Sequence, residues 1–281
     1  MLDKKIIINA DDFGLSASVN QAIIDVFLRG NLTSATLMVN MPGTEHAVAL
    51  ARQHPGLSVG LHFCLTEGYA VTGVSSLTDA SGRFFPRKIQ LARCASGKVR
   101  LADIRAEFCA QAAFFARHQL PMAHLDSHQH IHMTPLVFMA ILPQINRLGV
   151  PIRLAYSSLS LSWLWTRPIR FFKQTLLRGL TTVYKILLRV PTNDALVSVH
   201  DIDKNSYDVN DYVQLIFHSR GRCVELFIHP YRQGDDLNAL YADCWEEHAQ
   251  FIEKCYAEHH VLANEVVAEK LEGKVTVYAK I

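Results

Sequence analysis

Short apolar runs bounded by turn residues alternate with stretches of helical period along most of this chain. That rhythm predicts right-handed βαβ units feeding a parallel sheet. The first run, Lys5 to Ala10, is rich in isoleucine and stops at Asp11-Asp12-Phe13-Gly14. Ser16 to Arg29 reads as a helix, with Val19, Ile23, Val26 and Phe27 on one face and Gly30-Asn31 ending it. Thr33 to Val39 predicts a second strand, Glu45 to His54 a second helix and Leu57 to Leu65 a third strand. Further on, Asp103 to Gln119 reads as a helix, Ala123 to Leu125 as a short fourth strand and Pro135 to Leu148 as a helix closed by Gly149. Pro151 to Ala155 predicts a fifth strand, Tyr207 to Ser219 a helix and Cys223 to Ile228 another strand. Tyr241 to Glu258 is a long helix, and His260 to Glu272 a short closing element.

Two stretches leave this rhythm. Residues 66–100 have weak periodicity and are punctuated by Gly68, Gly73, Gly82, Pro86 and Gly97. They predict a long excursion over the face where the strands end, a place where loops carry specificity. Residues 157–190 carry six Lys/Arg and no Asp or Glu. Trp163, Trp165, Arg167, Arg170, Phe171, Phe172 and Lys173 mix aromatic and basic character, and an apolar stripe from Leu176 to Leu188 continues it. Such a segment suits a helix lying in a membrane interface or on an apolar partner face; the plainer alternative is an inserted helix packed on the barrel.

Composition narrows the class. With 281 residues, 49% hydrophobic and 19% charged, the chain can bury a large core and is not disordered. A net charge of +2 and a pI near 8.2 give no footprint for nucleic acid. The six cysteines form no C-x-x-C pair and read as reduced thiols of a cytoplasmic protein. The first strand begins too early for a signal peptide, and no apolar run is long enough for a transmembrane helix. With no internal repeat or linker, residues 1–281 read as one domain, an α/β fold of deformed β/α-barrel type with an inserted basic and aromatic helix.

Ionisable residues fall at four strand ends: Asp11 and Asp12 after the first, His62 in the third, Asp126-Ser127-His128 after the fourth, and His229 near the end. A parallel barrel brings strand carboxyl ends to one rim. There, adjacent carboxylates need a cation, a proton or solvent. An Asp with two His is a donor set for a divalent cation that keeps open positions. A lone histidine is more often a satisfied core residue, and a helix cap with a solvated neighbour would explain the Asp pair by itself. Four separate strand ends argue for the metal. Spacing alone does not choose the ligand among His128, His130 and His132: on a strand all three share a face, on a helix only the first and third do. It also does not choose between magnesium, zinc and other divalent ions.

The motifs N-A-D-D-F-G at the start, G-L-H at Gly60 to His62, L-T-E-G at Leu65 to Gly68, D-S-H-Q-H-I-H at Asp126 to His132 and H-P at His229-Pro230 resemble the YdjC-like carbohydrate deacetylases. That family includes chitooligosaccharide deacetylases and a hopanoid-associated branch. The resemblance implies a metal-dependent hydrolase that removes acetyl from an N-acetylated sugar. It implies Asp11 as general base, Asp12, His62 and His128 as metal ligands, and His229 as the acid for the leaving amine. Arg153 would orient Asp11; Asp126, Glu67, His130 and His132 would serve substrate or support the ligands. The family usually has Gly after His-Pro; Tyr231 stands there instead, so the shape of the rim at that point is open. The resemblance also implies a homodimer, while the basic, aromatic segment points to peripheral contact with the inner leaflet of the membrane and to a lipid-linked glycan as the alternative to a free oligosaccharide. The competing readings are a metal hydrolase acting on a non-sugar amide or ester and a non-catalytic, membrane-associated glycan-binding protein.

Overall fold

The computed structural model describes residues 4–155, 168–202, 204, 206–271 and 274–280. Its strands are all parallel. β1 (Lys5–Phe13), β2 (Ser34–Leu37), β3 (Ser58–Phe63), β4 (Leu125–Ser127), β5 (Ala195–Val197) and β6 (Cys223–Ile228) run in the order β4-β3-β2-β1-β6-β5. A two-residue β7 (Val275–Thr276) pairs with Ile6 and Ile7 at the start of β1. Helices α1 (Ala17–Leu28), α2 (Thr44–Gln53), α3 (Arg87–Ala95), α4 (Leu101–Arg117), α5 (Pro135–Leu148), α6 (Pro168–Leu187), α7 (Val209–His218), α8 (Asp235–Leu240) and α9 (Trp245–Asn264) surround the sheet. Ile6, Ile8, Leu37, Leu61, Phe63, Leu226 and Ile228 from the strands join the helices' apolar faces in one core cluster.

The fifth strand expected at Pro151 to Ala155 contracts to a single bridging residue. Ile152 bridges Leu125 of β4 on one side and Thr192 on the other. The segment that carries β5 therefore also meets the far edge of the sheet, and the sheet curls back towards itself. The contraction has two causes. Pro151 has no N–H to give to a ladder. Three residues on, the Asn193 side chain takes the Leu154 N–H at 2.7 Å and donates to its carbonyl at 3.0 Å, standing in for a neighbouring strand.

Other boundaries shift for local reasons. β4 starts at Leu125 and takes in Asp126 and Ser127, later than expected, because Leu125 pairs with Leu61 and Asp126 with His62. The last long helix starts at Trp245 and runs to Asn264, past the expected end at Glu258. The 66–100 excursion holds antiparallel bridges Tyr69–Arg83 and Thr78–Phe84, then α3. It is pinned by the buried Glu107 of α4, whose carboxylate accepts the backbone N–H groups of Val71 and Thr72 at 3.0 and 2.9 Å.

Candidate active site

In a regular strand Asp11 and Asp12 would point to opposite faces of the sheet. They do not, because β1 is bulged. Ala10 pairs with Ala35 and Phe13 with Leu37, so β1 carries one residue more than β2 over that span. Asp12 takes up the irregularity with φ 64°, in the left-handed region that Asp tolerates better than most residues. Gly14 at φ 96° completes the turn; a Cβ there would lie 2.5 Å from the Met38 carbonyl oxygen. Both carboxylates thereby line one cavity of about 400 Å³ at the carboxyl ends of the strands.

The chain after β4 is neither strand nor regular helix. Gln129 and His130 have φ of 52° and 54°, and this reversal sends the three histidines in different directions. His128 reaches Asp12, with Nδ1 at 2.9 Å from Oδ1. His130 lines the cavity edge-on to Phe227, its Nδ1 without a partner. His132 turns inward, bonds the Ser127 hydroxyl and meets the Arg153 carbonyl at 2.9 Å.

Asp12, His62 and His128 bring one donor atom each within 4.8 Å of one another. His62 Nε2 lies 3.2 Å from Asp12 Oδ1, while its Nδ1 lies 2.6 Å from Asp126 Oδ1. A carboxylate behind a histidine fixes the ring's orientation and leaves the other nitrogen aimed at the centre, as in carboxylate–histidine–metal arrangements. Tyr231 donates its hydroxyl to the second oxygen of Asp12 at 2.5 Å. The large residue after His-Pro therefore fills the rim and holds Asp12 in place.

Beneath this layer lies Arg153, fully buried. It grips Asp11 with two 2.7 Å hydrogen bonds, and reaches Asp126 at 2.8 Å and Glu225 at 2.6 Å. Burial opposes the charge of Asp11, yet the charge and hydrogen bonds of Arg153 hold its carboxyl below the ordinary carboxylate range. Burial raises Glu225 to about 7 against the pull of Arg153. Burial also disfavours a charged His62, but Asp126 and Asp12 outweigh it and push the ring up to about 10. One guanidinium thus faces Asp11, Asp126 and Glu225, with Asp12 close by. The pocket lacks positive charge, and either a proton on His62 or a divalent cation can supply it. The converging oxygen and nitrogen donors fit the cation.

His229 stands at the end of β6 with Nε2 3.9 Å from Asp11 Oδ2. Burial, first of all, lowers its pKa, against the charges of Asp11 and Asp12. Glu67 from the excursion lines the same cavity, as do Tyr241, Glu247, His248 and Phe251. A second cavity of about 930 Å³ shares Glu67, Gln129, Glu247 and His248 with the first and continues beside Arg83, Phe84, Arg87 and Lys88.

A YdjC-like family model matches residues 5–273. The chain belongs to the YdjC-like family. Curated relatives include a carbohydrate deacetylase of Geobacillus stearothermophilus, 46% identical over 147 residues, 52% of this chain and 58% of that one. A chitooligosaccharide deacetylase of Serratia marcescens is 39% identical over 154 residues, 54% of this chain and 60% of that one. These matches span under two thirds of the relatives' length. Among solved structures, a candidate cellobiose-phosphate cleavage protein of Enterococcus faecalis V583 superposes with a TM-score of 0.76 at 26% identity, over 99% of this chain and 98% of that one. The YdjC-like chain shares that protein's α/β architecture of a curled parallel sheet.

Of the residues marked in the sequence, Asp11, Asp12, His62, Glu67, His128, His130 and His229 line one cavity. Asp126, His132 and Arg153 lie buried beneath it. In the basic, aromatic segment Trp163, Trp165 and Arg167 lie outside the described residues, as do the side chains of Arg170, Phe171 and Lys173. Phe172 is exposed on α6. Sequence reasoning missed Glu225, Glu258 and His200. Glu225 did leave a signal, a lone carboxylate in the apolar strand Cys223–Ile228. Glu258 sits in an ordinary amphipathic helix and leaves none.

Proposed function

We propose that this chain is a metal-dependent deacetylase of an N-acetylated sugar. The observation that carries the reading is the convergence of Asp12, His62 and His128, with Asp11 and His229 beside them in one cavity. Family membership and the deacetylase relatives support the substrate class.

An amide is a poor electrophile, its amine a poor leaving group. Asp12, His62 and His128 would hold a divalent ion, which when bound would supply Lewis acidity for the acetyl carbonyl and lower the pKa of the attacking water. Asp11, kept ionised by Arg153, accepts that water's proton as the new C–O bond forms. His229 gives its proton to the nitrogen as the C–N bond breaks, so that acetate and a free amine leave. Tyr231 and Asp126 keep Asp12 and His62 in register through the step. The wider groove past Glu67 and Gln129 has room for further sugar rings.

A screen of released acids tests the reaction class. Full-length protein with added magnesium or zinc should release acetate from chitooligosaccharides or a lipid-linked N-acetylhexosamine, and a chelator should abolish release. Release of a different acid from non-sugar amides or esters would move the assignment to another hydrolase.

A second observation bears on where the substrate lies. Phe172, Leu176, Val183 and Ile186 stand 63%, 66%, 50% and 78% exposed along one face of α6. The surrounding segment is basic throughout, and such a face suits an anionic lipid surface. Among the described residues no helix is long and apolar enough to cross a membrane. Flotation with phosphatidylglycerol vesicles at low salt should carry the protein, and Leu176→Glu with Ile186→Glu should release it. A protein that stays at the bottom of the gradient and sediments as a dimer would assign this face to a second copy instead.

A further inference from the structure

At His229 three groups from distant parts of the chain meet. His200 comes from the turn after β5, Glu258 from α9, and His229 from the end of β6. One donor atom of each lies within 4.8 Å of the others. Glu258 is fully buried. Its Oε2 accepts the backbone N–H of His229 at 2.6 Å and lies 3.2 Å from His200 Nε2. The His200 ring stands edge-on to the His229 ring, with centroids 5.3 Å apart at 88°. Phe251 packs 5.2 Å from both rings, and Phe227 closes the other side at 5.5 Å.

Burying a carboxylate is costly unless it is held by hydrogen bonds or a counter-charge. Glu258 is only partly repaid. The buried Tyr212 hydroxyl of α7 faces its carboxylate, although Oε1 closes no hydrogen bond of full geometry, and Nδ1 of His229 has no partner. We propose that Glu258, backed by His200, is the positioning residue of His229. It fixes the backbone at the end of β6 so that the ring's Nε2 faces the cavity, and it provides negative charge that the imidazolium form needs. The catalytic meaning of this arrangement rests on the deacetylase reading above.

The charged groups that bear most on His229 are Asp11 and Asp12 of β1, His200, and Glu258 of α9; Glu258 is itself faced by Tyr207, by Tyr212 of α7 and by Cys255 of α9. The two aspartates are engaged by Arg153, Tyr231 and the metal-site histidines. Glu258 shares its charge only with His200 among the ion pairs of the described residues. Removing its charge should therefore make the His229 imidazolium harder to form. Removing His200 should make it easier, since that releases Glu258 and deletes a group that opposes charge on His229.

The test is Glu258→Gln, whose amide oxygen can still accept the His229 N–H. Histidine-labelled NMR of the full chain reads the His229 titration directly, without any substrate. Its midpoint should fall by about one pH unit in E258Q, the order expected for losing a nearby charge. In His200→Phe it should rise. In acetate-release assays E258Q should lower kcat with KM unchanged, by no more than the roughly 10²–10⁴-fold that a general acid contributes. The alkaline limb of its pH profile should move to lower pH, and Glu258→Asp should recover part of the loss. An unmoved His229 midpoint in both E258Q and H200F overturns the proposal. A wild-type chain that releases no acetate from any N-acetylated sugar sinks the deacetylase reading instead, and leaves the coupling of Glu258 to His229 to be judged by the titration.

Discussion

Asp11 and Asp12 are neighbours on one strand, yet both carboxylates enter the same cavity, because Asp12 sits at φ 64° on a bulge in β1. A residue without a local polar group is disfavoured there by roughly 1–2 kcal/mol. Asp12→Asn should keep the backbone and lose the charge. Asp12→Ala should lose both, together with the bonds to His128 and Tyr231. Divalent-metal affinity should therefore fall in both variants, while thermal unfolding should place Asp12→Ala below Asp12→Asn. Equal melting of the two would show that the bulge imposes no demand on the residue at this position.

Arg153 is the next point of leverage. It is the shared partner of Asp11, Asp126 and Glu225, all buried. Removing one side of a buried ionic network leaves uncompensated charge and costs about 3–5 kcal/mol. Arg153→Met should lose stability on that scale in urea unfolding. Arg153→Lys keeps the charge but not the two-pronged grip on Asp11. It should fold, and it should lose activity through kcat more than through KM. Wild-type activity in Arg153→Lys would mean that the orientation of Asp11 does not matter.

Acid should weaken the fold through two histidines outside the metal cluster. Burial lowers His124, which hydrogen-bonds Asn9 at 3.0 Å and stacks on Tyr278, to about 3. Burial likewise takes His132 to about 3. In the unfolded chain both titrate near the ordinary value of about 6.5. The folded state therefore refuses protons that the unfolded state accepts. The stabilisation is complete above pH 6.5 and is lost as pH falls from there towards 3. At pH 5 each imidazole should cost about 2 kcal/mol. His62 is raised, so its own contribution is complete below pH 6.5 and fades only as pH climbs towards 10; it is silent in this window. Glu225, raised to about 7, takes up its proton in the folded state over this same window and offsets part of the loss. Urea midpoints should therefore still fall between pH 6.5 and pH 5, by the balance of the three groups, and His124→Gln should shrink the difference. A midpoint independent of pH in wild type would contradict the buried neutral assignment.

The sequence was informative where a residue type is unusual for its setting. Paired aspartates at the end of an isoleucine run, and histidines at successive strand ends, marked the cavity because apolar strands seldom stop that way. The parallel α/β rhythm was legible for the same reason. Three features were hidden. Ile152 replaces a whole strand because the Asn193 side chain imitates a backbone, which no periodicity reveals. The divergence of His128, His130 and His132 depends on left-handed dihedrals at Gln129 and His130, residues that carry no glycine signal. Tyr231 reads as a departure at the rim, yet its hydroxyl turns back to hold Asp12.

The central claim is that side chains far apart in the sequence converge on one divalent cation. The most direct measurement is metal content by elemental analysis of the purified chain and of Asp12→Asn, His62→Gln and His128→Gln, paired with acetate release. The account predicts about one ion per wild-type chain, loss of the ion and of activity in each ligand variant, and a retained ion with activity lost in Asp11→Asn. Wild-type activity without bound metal, or ligand variants that hold the ion as tightly as wild type, would contradict it.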